Sequence, residues 1–386
     1  MIEKTPALEN SLDKIDIENI PKEVTEIDYQ NFLNIVSTDL TDEQKTLITC
    51  PNNVYSRQKA VIAVHWHPEF IPMELNKTRI EKFFPNKQKE LIIPTQHNEI
   101  TTYDNYSGVE VDCYSNDFNQ KVQILLHFEN SKLIKADRLK KMLNHTFRYR
   151  SSQFFEFLDA VIKPNESIIN RAAKETGTHD DLINYVRIYT KKLKKLVEDN
   201  IYNISPQMIK NKLLRNFIDC QRSLLGDLFI NRAQNFLNAI KKIVKQSFSL
   251  EYFYRISEII EEARYIGAGV VIPHPEQFWP ILLSEYDVDG YEVWNPQSRR
   301  YTEFLISVLN RKNKSLGLSQ KKLLVFMGDD THMGEKIRKP DEQDVEKASR
   351  EIGFQPAWDD YSICKTLIIA NASRENVIDE YKERIS

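Results

Sequence analysis

From residue 128 to about 265 the chain offers no strand-like run, while short β-rich runs recur on both sides of that gap. Before it stand "KAVIAVHWH", "ELIIPTQH", "GVEVDCYS" and "QKVQILLHF"; after it stand "AGVVIPHP", "DGYEVWNP" and "KLLVFMGDDTH". Within the gap, apolar residues repeat at helical spacing in "ADRLKKMLNHTF", "SQFFEFLDAVI", "DDLINYVRIYTKKLKKLVEDN" and "LFINRAQNFLNAIKKIVKQSF". Ser-Pro in "SPQM" reads as a helix start, and Gly267 as a helix end. Strands alternating with helices or turns imply a mainly parallel sheet or barrel. The chain therefore reads as one α/β domain, residues 58–127 and 253–386, split by an all-helical insertion at 128–252. Residues 1–57 read as a polar extension with short helices around "EIDYQNFLNIVS" and "TDEQKTLIT".

The net charge of -3 points to no particular partner, but its distribution is uneven. Residues 128–250 hold 23 Lys and Arg against 12 Asp and Glu, so the remainder is acidic. The four cysteines (Cys50, Cys113, Cys220, Cys364) are scattered, which suits reduced thiols in a cytoplasm better than a disulfide framework. The acidic start, "MIEKTPALENSLDKIDIENIPKEV", lacks the apolar centre of a signal peptide. No run reaches the ~18 continuous apolar residues of a membrane span. A cytoplasmic protein without a membrane partner is expected.

Six of the eight histidines lie at or just after an apolar strand-like run. They are His65 and His67 after "AVIAV", His97 after "LIIP", His127 after "VQILL", His274 after "GVVIP" and His332 after "LLVFMGDD". Glu110 lies inside "GVEVDCY", and Asp330 is two residues before His332. Functional groups of parallel α/β folds collect at the carboxyl ends of strands. The two-residue period of a strand sends His65 and His67 to one side, and likewise Asp330 and His332. A single such histidine is most simply a hydrogen-bonded rim residue. Converging imidazoles with a few carboxylates are the donor set of a transition-metal cluster.

The ordered series resembles the polymerase and histidinol phosphatase (PHP) family of metal-dependent phosphoesterases. Its H-x-H corresponds to His65 and His67, its T-D-H to Thr95, Gln96 and His97, and its G-x-E to Gly108 and Glu110. A strand histidine follows at His127. The family's A-H-P corresponds to Pro273, His274 and Pro275, its D-G-x-E strand to Asp289–Asn295, and its G-S-D-x-H to Gly328–His332. The motifs cover residues 60–127 and about 253–335. Gln96 stands in place of the usual Asp, Asp329 in place of Ser, and Met73 and Glu74 where many members carry a further His.

The resemblance implies a distorted (β/α)7 TIM-like barrel of PHP type with a large all-helical insertion. It implies His65, His67, His97, Glu110, His127, His274, Asp330 and His332 as ligands, with Glu110 bridging and with His97 and Asp330 in catalytic roles. Two or three divalent cations are implied, and the departures favour two. Imidazole-rich ligation suits Zn, Mn or Fe. The implied activity is hydrolysis of a small phosphorylated molecule or nucleotide by a metal-bound hydroxide.

Arg299 and Arg300, after "NPQS", are candidates to grip phosphate, although an exposed basic helix start is their plainer reading. The paired lysines of "YTKKLKKLVEDN" and the Arg-aromatic run "HTFRYRSSQFF" read first as solvated helix faces and an insertion core or oligomer surface. A cap that draws in a polyanion is their second reading, and nucleic acid is the less favoured partner. The alternative to an enzyme is a non-catalytic metal-containing module whose basic helical region binds a partner. Hydrolysis of a non-phosphate bond is a third reading, since an activated water does not select its electrophile.

Overall fold

The computed structural model describes residues 20–163, 166–317, 321–338 and 343–386. Residues 1–19 of the expected extension lie outside these. The chain divides into two compact units, Leu40–Phe147 with Leu250–Ser386, and Met1–Asp39 with Arg148–Ser249.

The first unit carries the strands: β1 (Ala60–Ala63), β2 (Trp66–His67), β3 (Lys89–Ile92), β4 (Thr101–Tyr103), β5 (Tyr106–Ser115), β6 (Gln120–Glu129), β7 (Gly269–Ile272), β8 (Gly290–Trp294), β9 (Leu324–Met327) and β10 (Thr331–His332). They form three ladders among the described residues: β1-β3, β10-β2, and a six-stranded sheet in the order β4-β5-β6-β7-β8-β9. The ladder β1-β3 is parallel, its crossover carried by the helix Met73–Phe83. β4 to β7 pair antiparallel, whereas β7, β8 and β9 pair parallel.

The mixed α/β character is as expected, but the ladders do not close into a barrel. One physical reason lies in the "GVEVDCYS" and "QKVQILLHF" runs. Only residues 116–119 separate β5 from β6, too few for the crossover a parallel pair needs, so the two make an antiparallel hairpin. Isolated main-chain hydrogen bonds link the ladders: Asn98 N donates to Glu110 O at 2.7 Å and Glu110 N to Gln96 O at 3.1 Å, Thr95 N to Trp66 O at 2.8 Å, and Asp330 N to His65 O at 2.9 Å.

Strand periodicity places the groups that matter. On β5, Val109, Val111 and Cys113 enter the main apolar core with Leu126, Phe128, Val270, Ile272 and Val293. Glu110 and Asp112 occupy the opposite face. The helices Ile256–Ile266 and Thr302–Ser315 close that core through Ile259, Ala263, Leu305 and Ile306. Gly267 takes φ 74° and ends the first of these as expected. The helix Arg374–Ile385 seals a second cluster, in which Tyr381, Ile378 and Ile385 meet Ile62, Leu91, Val271 and Phe326.

Among its described residues the second unit has helices and no strands. It comprises Glu26–Val36, the latter part of Asp137–Ile162, Glu166–Thr176, Asp180–Asn200, Lys212–Asp219, Arg222–Leu225 and Asp227–Ser247. Two runs separate in sequence, "ADRLKKMLNHTF" and "SQFFEFLDAVI", form the single helix Asp137–Ile162. Ser205-Pro206 starts a short 3-10 turn and not the helix itself, which begins at Lys212. Phe32 joins Phe154, Phe157, Val186, Leu193, Phe217, Phe236 and Ile240 in one core. Thr25 and Asp28 make a capping box, and Asp28 Oδ2 also accepts from the buried Lys192 Nζ at 2.8 Å. Of the lysines in "KKLKK", Lys194 pairs with Asp159 at 2.7 Å and Lys195 with Asp199 at 2.9 Å.

Candidate metal centre

The strand ends bring most of the sequence-selected residues together. His65 follows β1, His67 ends β2, His274 follows β7, His332 ends β10, and His97 bridges to Glu110 of β5. The His67 ring stacks between neighbours, 4.5 Å from His97 and 4.3 Å from His332 by centroid. Two carboxylates thread the imidazoles. Glu110 Oε2 lies 2.5 Å from His97 Nδ1 and 3.6 Å from His67 Nε2, and its Oε1 lies 3.7 Å from His274 Nε2. Asp330 Oδ1 lies 3.4 Å from His67 Nε2 and from His332 Nε2, and 3.7 Å from His65 Nε2.

Three overlapping groups can each hold a metal ion: His65–Glu110–His274, His65–His67–Asp330 and His67–His97–His332, with ligand atoms within 4.8 Å of one another in each. The donor set is nitrogen-rich with carboxylate oxygens, which fits Zn, Mn or Fe. Buried His65 Nε2, His67 Nδ1 and His274 Nδ1 have no hydrogen-bond partner among the described residues. Buried polar atoms are otherwise almost always paired, so the residues fit a cation that would engage such atoms.

Glu292 orients one ligand. His65 Nδ1 donates to Glu292 Oε1 at 2.6 Å, which leaves the Nε2 lone pair facing Asp330 and Glu110. Glu292 Oε2 accepts from His274 N at 3.0 Å, so one carboxylate holds two ligand-bearing segments. Gly328 explains its own position in "GDDTH": a Cβ there would sit 1.7 Å from Glu292 Oε1. Asp329 accepts from Gly353 N at 2.9 Å and Gln355 Nε2 at 3.2 Å, tying the strand end to the following loop. The backbone is strained where the ligands sit. Glu69, Asn98, His274 and Asp330 take φ of 52°, 54°, 28° and 47°, conformations that cost such residues free energy and concentrate at working sites.

Close packing of charge shifts several titrations here. Burial opposes charge on His65, yet Glu292, Asp330 and Glu110 raise it to about 10. Burial is again overridden at His332, where Asp330 and Glu69 raise it to about 9. At His67 burial prevails, aided by His332 and His97, and lowers it to about 3. Burial opposes ionisation of Glu110 and Asp330, but the surrounding histidines hold both well below the usual carboxylate range. Burial raises Asp329 to about 7.

His127 is not brought to this cluster. Its Nε2–H donates to Val64 O at 2.8 Å, and its Nδ1 accepts from Tyr381 Oη at 2.7 Å. Both ring nitrogens are thereby committed. Glu110 and His127 lie on adjacent antiparallel strands, but with Gly108 opposite His127 their side chains are offset along the sheet. His127 packs beside Leu125 in the cluster sealed by Tyr381, and burial there lowers it to about 3. Arg299 and Arg300 are exposed in a 3-10 turn, with Arg300 over the Tyr301 ring at 4.6 Å. Sequence reading passed over Glu292 as a site residue although "DGYEVWN" contains it. It also missed Arg350, which pairs with Asp330 at 2.8 Å and follows no motif.

No family model matches the chain, and no curated protein matches it. One solved structure to which it is similar is a chain from Bifidobacterium adolescentis, provisionally described as a metal-dependent phosphoesterase. The identity is 14%, over 81% of this chain and 96% of that one, with a TM-score of 0.37. A likeness that distant bears no weight on fold or activity.

Proposed function

We propose that the chain is a metal-dependent hydrolase acting on phosphate esters, of the PHP type that its motif series resembles. The carrying observation is the sharing of ligands. Glu110 turns one oxygen to His274 and the other to His67 and His97, while Asp330 Oδ1 meets three imidazoles. Such sharing is what adjacent cations require. Cations bound there would draw charge from phosphoryl oxygens and lower the pKa of a bound water toward ~7.

The chain's own residues divide the remaining work. His65, His67, Glu110, His274, Asp330 and His332 would hold the cations. His97 is partly exposed, with Nδ1 against Glu110, and is the group placed to hand a proton to a leaving oxygen. Glu292 keeps His65 in the tautomer that offers Nε2. Arg299 and Arg300 would meet a phosphate that reaches past the cluster. His127, with both nitrogens engaged, supports the strands from behind.

The test is hydrolysis of p-nitrophenyl phosphate and bis-p-nitrophenyl phosphate by protein reconstituted with Mn, Zn or Fe. Turnover that chelator abolishes, and that Glu110→Gln lowers by at least ~100-fold, is expected. No turnover on either ester or across a nucleotide panel, or turnover indifferent to chelator, contradicts the proposal.

A further inference from the structure

Asp330 is gripped from behind by an arginine that lies outside every motif of the resemblance. Arg350 Nη1 donates to Asp330 Oδ2 at 2.8 Å and to the Asp330 main-chain carbonyl at 3.0 Å. The arginine side chain is only 3% exposed, so it cannot reach a substrate. Gln297 Nε2 adds a longer contact to the same oxygen at 3.4 Å. The two carboxylate oxygens are thus divided: Oδ2 belongs to Arg350, and Oδ1 faces His65, His67 and His332.

Arg350 is itself fixed on both sides. Lys336 Nζ donates to the carbonyls of Ala348 and Arg350 and to Glu351 Oε1. Arg79 makes a fork to the two oxygens of Glu351, at 2.6 and 2.7 Å. Asp329 receives Gly353 N and Gln355 Nε2. The segment 348–355 is therefore held at three places: by Lys336, by Arg79 through Glu351, and by Asp329 just after β9. Asp330 also sits at φ 47°, a conformation that costs a non-glycine residue some free energy, and the Arg350 bond to its carbonyl helps to hold it there.

We infer that Arg350 is a positioning residue that makes Asp330 a one-oxygen metal ligand. A guanidinium keeps its charge at all working pH values and repels a cation from the Oδ2 side, so chelation through both oxygens is closed off. The inference rests on the metal reading of the site and adds what aims one of its ligands.

The experiment is a Co²⁺ titration of metal-free full-length protein, followed by bound equivalents and by the visible ligand-field bands. Wild type, Arg350→Met, Arg350→Lys and Arg79→Met are compared. Arg350→Met is expected to weaken one class of Co²⁺ by about 10- to 100-fold and to change its band, with another class unaltered. Arg350→Lys, which returns one charged donor, recovers most of that affinity. Arg79→Met loosens the same loop without touching Asp330, and lowers the melting temperature while leaving the Co²⁺ spectrum as in wild type. Should Arg350→Met not fold, Arg350→Gln takes its place, with at least a tenfold loss expected. Wild-type affinity, stoichiometry and spectrum in the folded Arg350 variant overturn the inference while the metal reading survives. A wild type that takes up no Co²⁺ overturns both.

Discussion

Substituting Gly328 by alanine adds one methyl group and should unseat a metal ligand two contacts away. The new Cβ would lie 1.7 Å from Glu292 Oε1, 2.3 Å from Cδ and 2.9 Å from Oε2. Glu292 is 1% exposed and has no solvent to retreat into. Relieving the overlap takes a carboxylate shift of roughly 1.8 Å, since contacts are comfortable only near 3.5 Å. That shift breaks the 2.6 Å bond to His65 Nδ1 and the 3.0 Å bond from His274 N. A hydrogen bond to a charged group contributes about 1.5–3 kcal/mol, and losing the partner that orients a ligand histidine costs about 10- to 100-fold in metal affinity. Competition with a chromophoric chelator for Zn²⁺ reads the affinity, and thermal melting of the chelated protein reads the stability. Gly328→Ala should lose in both. Glu292→Gln, which keeps an oxygen for His65 but can present an amide N–H to His274 N–H, should lose less stability. Wild-type affinity and melting in Gly328→Ala would refute the claim that Glu292 sets the His65 tautomer.

Three further outcomes follow from the same geometry. Asp28→Ala strands the buried Lys192 and should lower stability of the helical unit by about 3–5 kcal/mol in denaturant unfolding, whereas Asp28→Leu with Lys192→Met should recover most of the loss. Tyr381→Phe removes the donor to His127 Nδ1 and should cost about 1–3 kcal/mol with metal content unchanged; a fall in metal content would return His127 to the ligand set. In chelated protein, His65 at about 10 and His332 at about 9 contribute stability that is complete below 6.5 and lost as pH rises through 9 and 10. His67 and His127, both at about 3, act oppositely and remove stability as pH falls from 6.5 toward 3. Melting across pH 4 to about 10.5 should therefore peak between those limits, and cation uptake at neutral pH should release protons, measurable by calorimetry in buffers of different ionisation enthalpy. A profile that rises steadily to the alkaline end, or uptake without proton release, would contradict the assignment.

How much of this was legible depends on whether the signal was local. The placement of His65, His67, His97, His274 and His332 could be read because each follows an apolar run, and a strand end is a local property. The helical region was legible from the spacing of Leu, Ile and Phe alone. His127 looked the same as the others in sequence. What separates it is its register opposite Gly108 and the arrival of Tyr381 more than 250 residues later, which no local pattern carries. Arg350 lies in a loop without periodicity, and it meets Asp330 from 20 residues further along the chain, a distance no local pattern spans. The "KKLKK" lysines looked like a free basic face, yet Lys192 is buried on Asp28 from a segment more than 160 residues earlier. Strand existence was readable, but pairing was not: the tight turn at 116–119 decides for a hairpin, and this was outweighed by the alternation seen elsewhere.

The most direct test of the central claim is metal content per chain, by plasma mass spectrometry, on protein purified without a metal-affinity column. The shared ligands of Glu110 and Asp330 predict two or three equivalents of Zn, Mn or Fe. Less than one equivalent, unmoved by reconstitution with each of those metals, would contradict it.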